Sequence, residues 1–101
     1  MQKLDQIKNS VANAIAQSPD KDYIQSASLF GSNLHGDAQE TSDVDILIKF
    51  RKKLGFFKLF DIKYYLEDKL GREVDLVTER DLSKYFREKV KKEAVNIYNY
   101  D

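Results

Sequence analysis

The segment from Leu29 to Ile48 constrains this chain more than any other. Leu29-Phe30-Gly31-Ser32 reads as the end of a strand followed by a tight turn. A short polar bridge runs through His35, Gly36 and Thr41-Ser42, and Asp43-Val44-Asp45-Ile46-Leu47-Ile48 then opens a second strand. Side chains alternate between the faces of a strand, so Asp43 and Asp45 point to one face. Two neighbouring carboxylates repel unless a cation lies between them. A hard divalent ion such as Mg²⁺ is the natural guest, because it takes oxygen ligands and keeps positions free for phosphates. Gly31 allows the backbone to turn sharply and approach a ligand, and Ser32 adds a hydroxyl and an N–H donor. A Gly-Ser turn beside a metal-ready acidic pair suggests nucleoside triphosphate chemistry.

The rest of the chain supplies the elements around that segment. Leu4, Ile7, Val11, Ala14 and Ile15 recur at helical spacing and predict an amphipathic helix from about Lys3 to Gln17. Ser18-Pro19-Asp20 breaks it, since the residue before a proline is pushed out of the helical region. Tyr23–Phe30 is expected as a first strand and Asp43–Phe50 as a second. The Ile46-Leu47-Ile48 run is apolar on both faces, which places that strand inside a sheet. Phe56, Leu59, Phe60, Tyr64, Leu66 and Leu70 form a broad apolar stripe on a helix from Phe56 to Leu70, with Gly71 as its stop. Glu73–Val77 alternates as a third strand. A last helix is expected from Leu82 or Ser83 to Tyr98, with Phe86, Val90, Ala94 and Ile97 near one face. This order predicts an α/β (α+β) fold, a small mixed β-sheet packed with helices.

Composition narrows the function. A chain of 101 residues builds one domain with a single modest core. Its 17 basic and 17 acidic residues cancel, so no basic excess is available for non-specific nucleic-acid binding. The absence of cysteine excludes disulfides, thiol catalysis and cysteine–zinc sites, and fits a reducing, cytoplasmic setting. No apolar run approaches the roughly 20 residues of a membrane span, and Met1-Gln2-Lys3-Leu4-Asp5 does not read as a signal peptide.

Gly31-Ser32, then Gly36, then Ser42-Asp43-Val44-Asp45, resembles the signature of the DNA polymerase β-like nucleotidyltransferase superfamily. With so short a chain, the resemblance narrows to the minimal nucleotidyltransferases, the MNT antitoxins that pair with small all-helical HEPN toxins. It covers the chain from Tyr23 onward and implies a nucleotidyltransferase fold over one domain, residues 1–101. It further implies transfer of AMP from ATP to a hydroxyl acceptor, a tyrosine of the toxin, with two Mg²⁺ ions. Asp43, Asp45 and Asp75 would be the catalytic, metal-holding carboxylates. Asp75 sits mid-strand between Val74 and Leu76, a costly place for a charge without a partner, and it is the candidate to help deprotonate the acceptor. Gly31 and Ser32 would hold the β- and γ-phosphates of the nucleotide. Gly36 is expected to answer a backbone need, and Ser42 a cap or a hydrogen bond near the carboxylates.

The departures from the family pattern matter. Many members carry arginine at two positions of the turn where this chain has Asn33 and His35, so a phosphate contact borrowed from those arginines has no counterpart here. His35, the only histidine, reads as an exposed loop residue or, when protonated, a phosphate contact. Two other classes of function stay open at this point. One is a binding module that neutralises its partner by occlusion, and the other a small-molecule nucleotidyltransferase. Arg51-Lys52-Lys53 and Lys89, Lys91 and Lys92 read as solvated basic faces, Tyr64 as part of the core stripe, and Tyr98 and Tyr100 as residues of an interface, within a homo-oligomer or with a partner.

Overall fold

The computed structural model describes residues 4–31 and 43–100. The elements run α1 (Leu4–Gln17), β1 (Ile24–Phe30), β2 (Val44–Phe50), α2 (Phe56–Leu70), β3 (Val74–Val77), α3 (Lys84–Glu93) and β4 (Val95–Asn99). The four strands form one mixed sheet in the order β3-β2-β1-β4. β1 is antiparallel to both β2 and β4, and β2 is parallel to β3. The expected α/β architecture is therefore present, and β2 lies inside the sheet as its doubly apolar centre requires. Ser32, Asn33, His35, Gly36 and Ser42 lie outside the described residues.

One face of the sheet carries the core. Ile24, Ala27 and Leu29 of β1, Val44, Ile46 and Ile48 of β2, and Val74 of β3 are all buried there. Helix α1 brings Ile7, Val11, Ala14 and Ile15, spaced so that they share one side, and α2 brings Ile62 and Leu66. Each valine, leucine or isoleucine among them is worth about 1.5–3 kcal/mol when fully buried. Helix α1 packs on α2 and β4, and α2 packs on β3. Ser18 closes α1: it is buried, its N–H donates to Ile15 O (3.1 Å), and its hydroxyl accepts from Asp20 N–H (3.1 Å). Gly71 ends α2 in the left-handed conformation, φ +66°, with its N–H donating to Glu67 O at 2.8 Å. Among the described residues, no helix is long and apolar enough to cross a membrane.

Two expectations are overturned. Of the stripe expected on α2, Leu66 is buried and Leu70 packs against the core, but its aromatic members do not turn inward. Phe56, Phe60 and Tyr64 are 78%, 43% and 60% exposed, and Ile62, which that stripe leaves out, is buried beside Leu66. The apolar stripe is wider than the face that packs, and the period alone does not say which part of it meets the sheet. The second correction is the C-terminal helix. It ends at Glu93, and Val95-Asn96-Ile97-Tyr98-Asn99 forms β4 against β1, pairing Val95 with Leu29 and Tyr98 with Ala27. Without β4 the outer edge of β1 would present unpaired N–H and C=O groups. Val95, Ile97 and Tyr98 are strand formers, and that edge supplies the partner they need. Tyr98 and Ile97 consequently pack against the core. Tyr100 extends the ladder, its N–H donating to Gln25 O (2.8 Å), while the Arg51 guanidinium lies 3.7 Å from the centre of its ring.

Candidate active site

The other face of the sheet is polar and bears the candidate residues. Asp45, Leu47 and Lys49 alternate along β2 with the buried Val44, Ile46 and Ile48, so all three point away from the core. Asp75 holds the same relation to buried Val74 on β3. The parallel ladder pairs Asp45 with Asp75, Ile46 with Leu76 and Leu47 with Val77. Neighbouring strands lie about 4.8 Å apart, so the two aspartates rise side by side from one face.

Two hydrogen bonds fix that register at the strand ends. Val44 N–H donates to Glu73 O at 2.9 Å, and Val74 N–H donates to Glu67 Oε2 at 2.9 Å. The second bond ties the first residue of β3 to helix α2, next to Asp75. Glu67 was not singled out from the sequence. Its role depends on a contact across seven positions that no local pattern announces.

Gly31 closes the group from the β1 side. Its φ is +80°, a conformation that L side chains rarely adopt. A Cβ built on it would overlap Asp45 Oδ2 and stand 3.1 Å from Asp45 Cγ. The backbone of the turn is thus packed against the carboxylate, a second and independent demand for glycine. Asp43 lies just before β2. Burial of Asp45 raises its pKa from the usual 3.8, and the charges of Asp75 and then Asp43 push it in the same direction. Asp43, Asp45 and Asp75 therefore share one electrostatic neighbourhood. Ser32, the remaining sequence candidate, lies outside the described residues.

These side chains are chemically suited to a hard divalent cation: they offer only oxygen donors, and their mutual repulsion is relieved by positive charge. As they stand, no three acidic, histidine or cysteine side chains among the described residues are gathered closely enough to hold an ion. Asp45 and Asp75, on paired backbone positions, and Asp43, whose charge also reaches Asp45, are the residues that would hold one.

The sequence profile of the polymerase beta nucleotidyltransferase domain matches residues 12–101. The chain belongs to that family. This nucleotidyltransferase is 36% identical over 74 residues to the protein adenylyltransferase MntA of Thermococcus cleftensis, covering 73% of this chain and 75% of that one. A solved structure assigned as a minimal nucleotidyltransferase superposes with a TM-score of 0.76 at 31% identity, covering 93% of this chain and 95% of the other. The same fold recurs, at 20% identity and a TM-score of 0.66, in a complex of an MNT antitoxin with a tri-AMPylated HEPN toxin from Shewanella oneidensis. That likeness covers 96% of this chain and 73% of the matched one.

Proposed function

We propose that this nucleotidyltransferase moves AMP from ATP to a hydroxyl of a partner protein, a tyrosine of a small all-helical HEPN-type toxin, and so acts in the cytoplasm as its antitoxin. The observation that carries the reading is the placement of Asp45 opposite Asp75 on the open sheet face, with the Gly31 backbone packed against the Asp45 carboxylate. Residues 1–101 serve as one minimal nucleotidyltransferase domain. Asp43 and Asp45 hold Mg²⁺, with Asp75 completing the set, and Gly31 and Ser32 offer donors to the β- and γ-phosphates. Bound Mg²⁺, two ions in the family scheme, supplies positive charge to the triphosphate and to the departing pyrophosphate. Asp75 takes the proton of the attacking hydroxyl. The activity named for the relative MntA and the AMP groups on the Shewanella toxin support the choice of nucleotide and partner.

The test separates catalysis from occlusion. Asp43→Ala/Asp45→Ala is expected to bind the helical partner and to leave its mass unchanged. Wild-type protein with ATP and Mg²⁺ adds the mass of AMP, and EDTA prevents the addition. At limiting antitoxin the double mutant protects less well, because one catalyst modifies many partners and one binder occupies few. Equal protection at every ratio would show that occlusion is the protective step.

A further inference from the structure

We infer that the outer side of α2 is a pairing surface, and that its occupant is a second copy of this chain laid antiparallel against the first. At about 100° per residue, Phe56, Phe57, Phe60 and Tyr64 fall within one arc of the helix about 100° wide. Ile62 and Leu66, which join the core, lie about 150° round the helix from the middle of that arc. The four aromatic residues are 78%, 88%, 43% and 60% exposed. The Phe60 and Tyr64 rings stack on one another, with centroids 6.0 Å apart. A helix lying on a sheet needs one apolar side, and on α2 the apolar residues run on past that side into solvent.

The area matches what two copies require. An aromatic side chain hides about 150–250 Å² when buried, so at these exposures the four leave roughly 500 Å² of aromatic surface in water. The largest apolar patch of an ordinary monomer is about 300–600 Å², and one of this size is often functional. Two such surfaces face to face remove about 1,000 Å² in all, the size at which a specific interface begins. Interfaces that small are weak, and the Kd expected here is on the order of tens of micromolar. Pairing leaves the aspartates open, because α2 covers the core face of the sheet and Asp45 and Asp75 rise from the other. It is therefore independent of the chemistry proposed for them.

The charges choose the occupant and its direction. Lys52 and Lys53 are exposed just before the helix, no acidic residue stands in its first turn, and Asp68 is exposed near its end. Asp61 and Lys63 flank the aromatic arc on opposite margins and offset each other. Lys69, the basic residue of the last turn, is turned away from the arc, with its Nζ 5.6 Å from the centre of the Tyr65 ring. Charge along the arc therefore runs from positive to negative. A two-fold axis beside Phe60, the middle of the arc, sets Phe56 of one copy against Tyr64 of the other. The same axis brings Lys52 and Lys53 of one copy near Asp68 of the other, and symmetry makes that contact twice. A parallel pair would set like charges together. Antiparallel helices also bring opposite dipole ends side by side.

Sedimentation equilibrium of the purified chain, from about 1 µM to about 1 mM, is expected to show monomer and dimer and no larger species. Phe57→Glu and Tyr64→Glu, at exposed positions, each raise the Kd at least about tenfold. Both leave the Tm measured well below the Kd within about 2 °C, which separates lost pairing from lost folding. Lys53→Glu and Asp68→Lys each weaken pairing about three- to tenfold, since one substitution spoils two contacts. Mixed in equal amounts, these two variants form a heterodimer tighter than either variant's own pair, because opposite charges then meet at both contacts. A chain monomeric to about 1 mM overturns the inference. Dimers indifferent to Phe57→Glu and Tyr64→Glu overturn it as well, as do charge variants that mix no better than they self-pair. A monomeric chain in which Phe57→Glu abolishes binding of the all-helical partner gives the surface to that partner, and also overturns it.

Discussion

Gly31→Ala tests how tightly the turn is built against the aspartate. The substitution makes two separable demands. An L residue at φ +80° meets the steric penalty of left-handed backbone, about 1–2 kcal/mol. The new Cβ also overlaps Asp45 Oδ2 and comes within 3.1 Å of Asp45 Cγ, so the carboxylate must leave its rotamer, a further ~0.5–1.5 kcal/mol. The expected loss is about 1.5–3.5 kcal/mol, which for a domain of this size, at about 5 °C per kcal/mol, lowers Tm by roughly 7–17 °C. Gly71→Ala is the internal control: its φ is +66° and nothing lies within 4 Å of the added carbon, so only the backbone penalty applies. In an Asp45→Ala background Gly31→Ala should fall to the cost of that control, because the remaining Asp45 Cβ lies at an ordinary 3.4 Å. Denaturant unfolding of the four proteins in the cycle then gives a coupling of about 1 kcal/mol. A coupling of zero, or a Gly31→Ala loss no larger than that of Gly71→Ala, would refute the packing of the turn on the carboxylate.

Asp45 also predicts a pH dependence. Its folded-state pKa is raised by burial, then by Asp75 and Asp43, so the native state holds the proton more tightly than the unfolded chain. This term is harmless below the unfolded value, and stability falls as pH rises from there through the folded value. Asp45→Asn should therefore stabilise the metal-free protein at neutral pH and flatten that slope in denaturant titrations. Mg²⁺ should raise the wild-type Tm at neutral pH and less in acid, where protons compete for the carboxylates, and the variant should respond weakly. On α2, Leu66→Ala should cost about 2–5 kcal/mol, while Phe57→Ala, at a residue 88% exposed, should stay within about 0.5 kcal/mol in the same unfolding assay.

The contrast between buried Ile62 and exposed Phe60 on the same helix shows where the sequence stopped being sufficient. Short-range requirements are written locally. The apolar period of α1, the Gly71 stop and the doubly apolar centre of β2 each depend on neighbours within a few residues, and the structure has them where expected. Gly31, Asp45 and Asp75 were legible for a related reason. Gly31 suits the tight turn it makes, whereas Asp45 and Asp75 put charges inside strands, against the local preference of those positions, and such contradictions point to a site.

What the sequence left open depended on which surfaces meet. Helix α2 offers an apolar stripe wider than the face that packs, and only the sheet decided that Ile62 would join Leu66 inside while Phe56, Phe60 and Tyr64 stay exposed. Residues 95–99 carry a pattern compatible with either helix or strand, and the open edge of β1 decided for β4. That decision sent α3 across the aspartate-bearing face and brought Lys91, Ala94 and Asn96 beside Ser28 and Leu47. Hydrogen-bond pairing across a sheet joins residues nearly seventy positions apart, as Ser28 and Asn96 are paired here. The sequence by itself determined the aspartates and the turn, because steric and electrostatic constraints act within a few residues of each. Only the tertiary structure decided the walls around them, because burial and strand pairing are properties of surfaces that exist once the chain has folded.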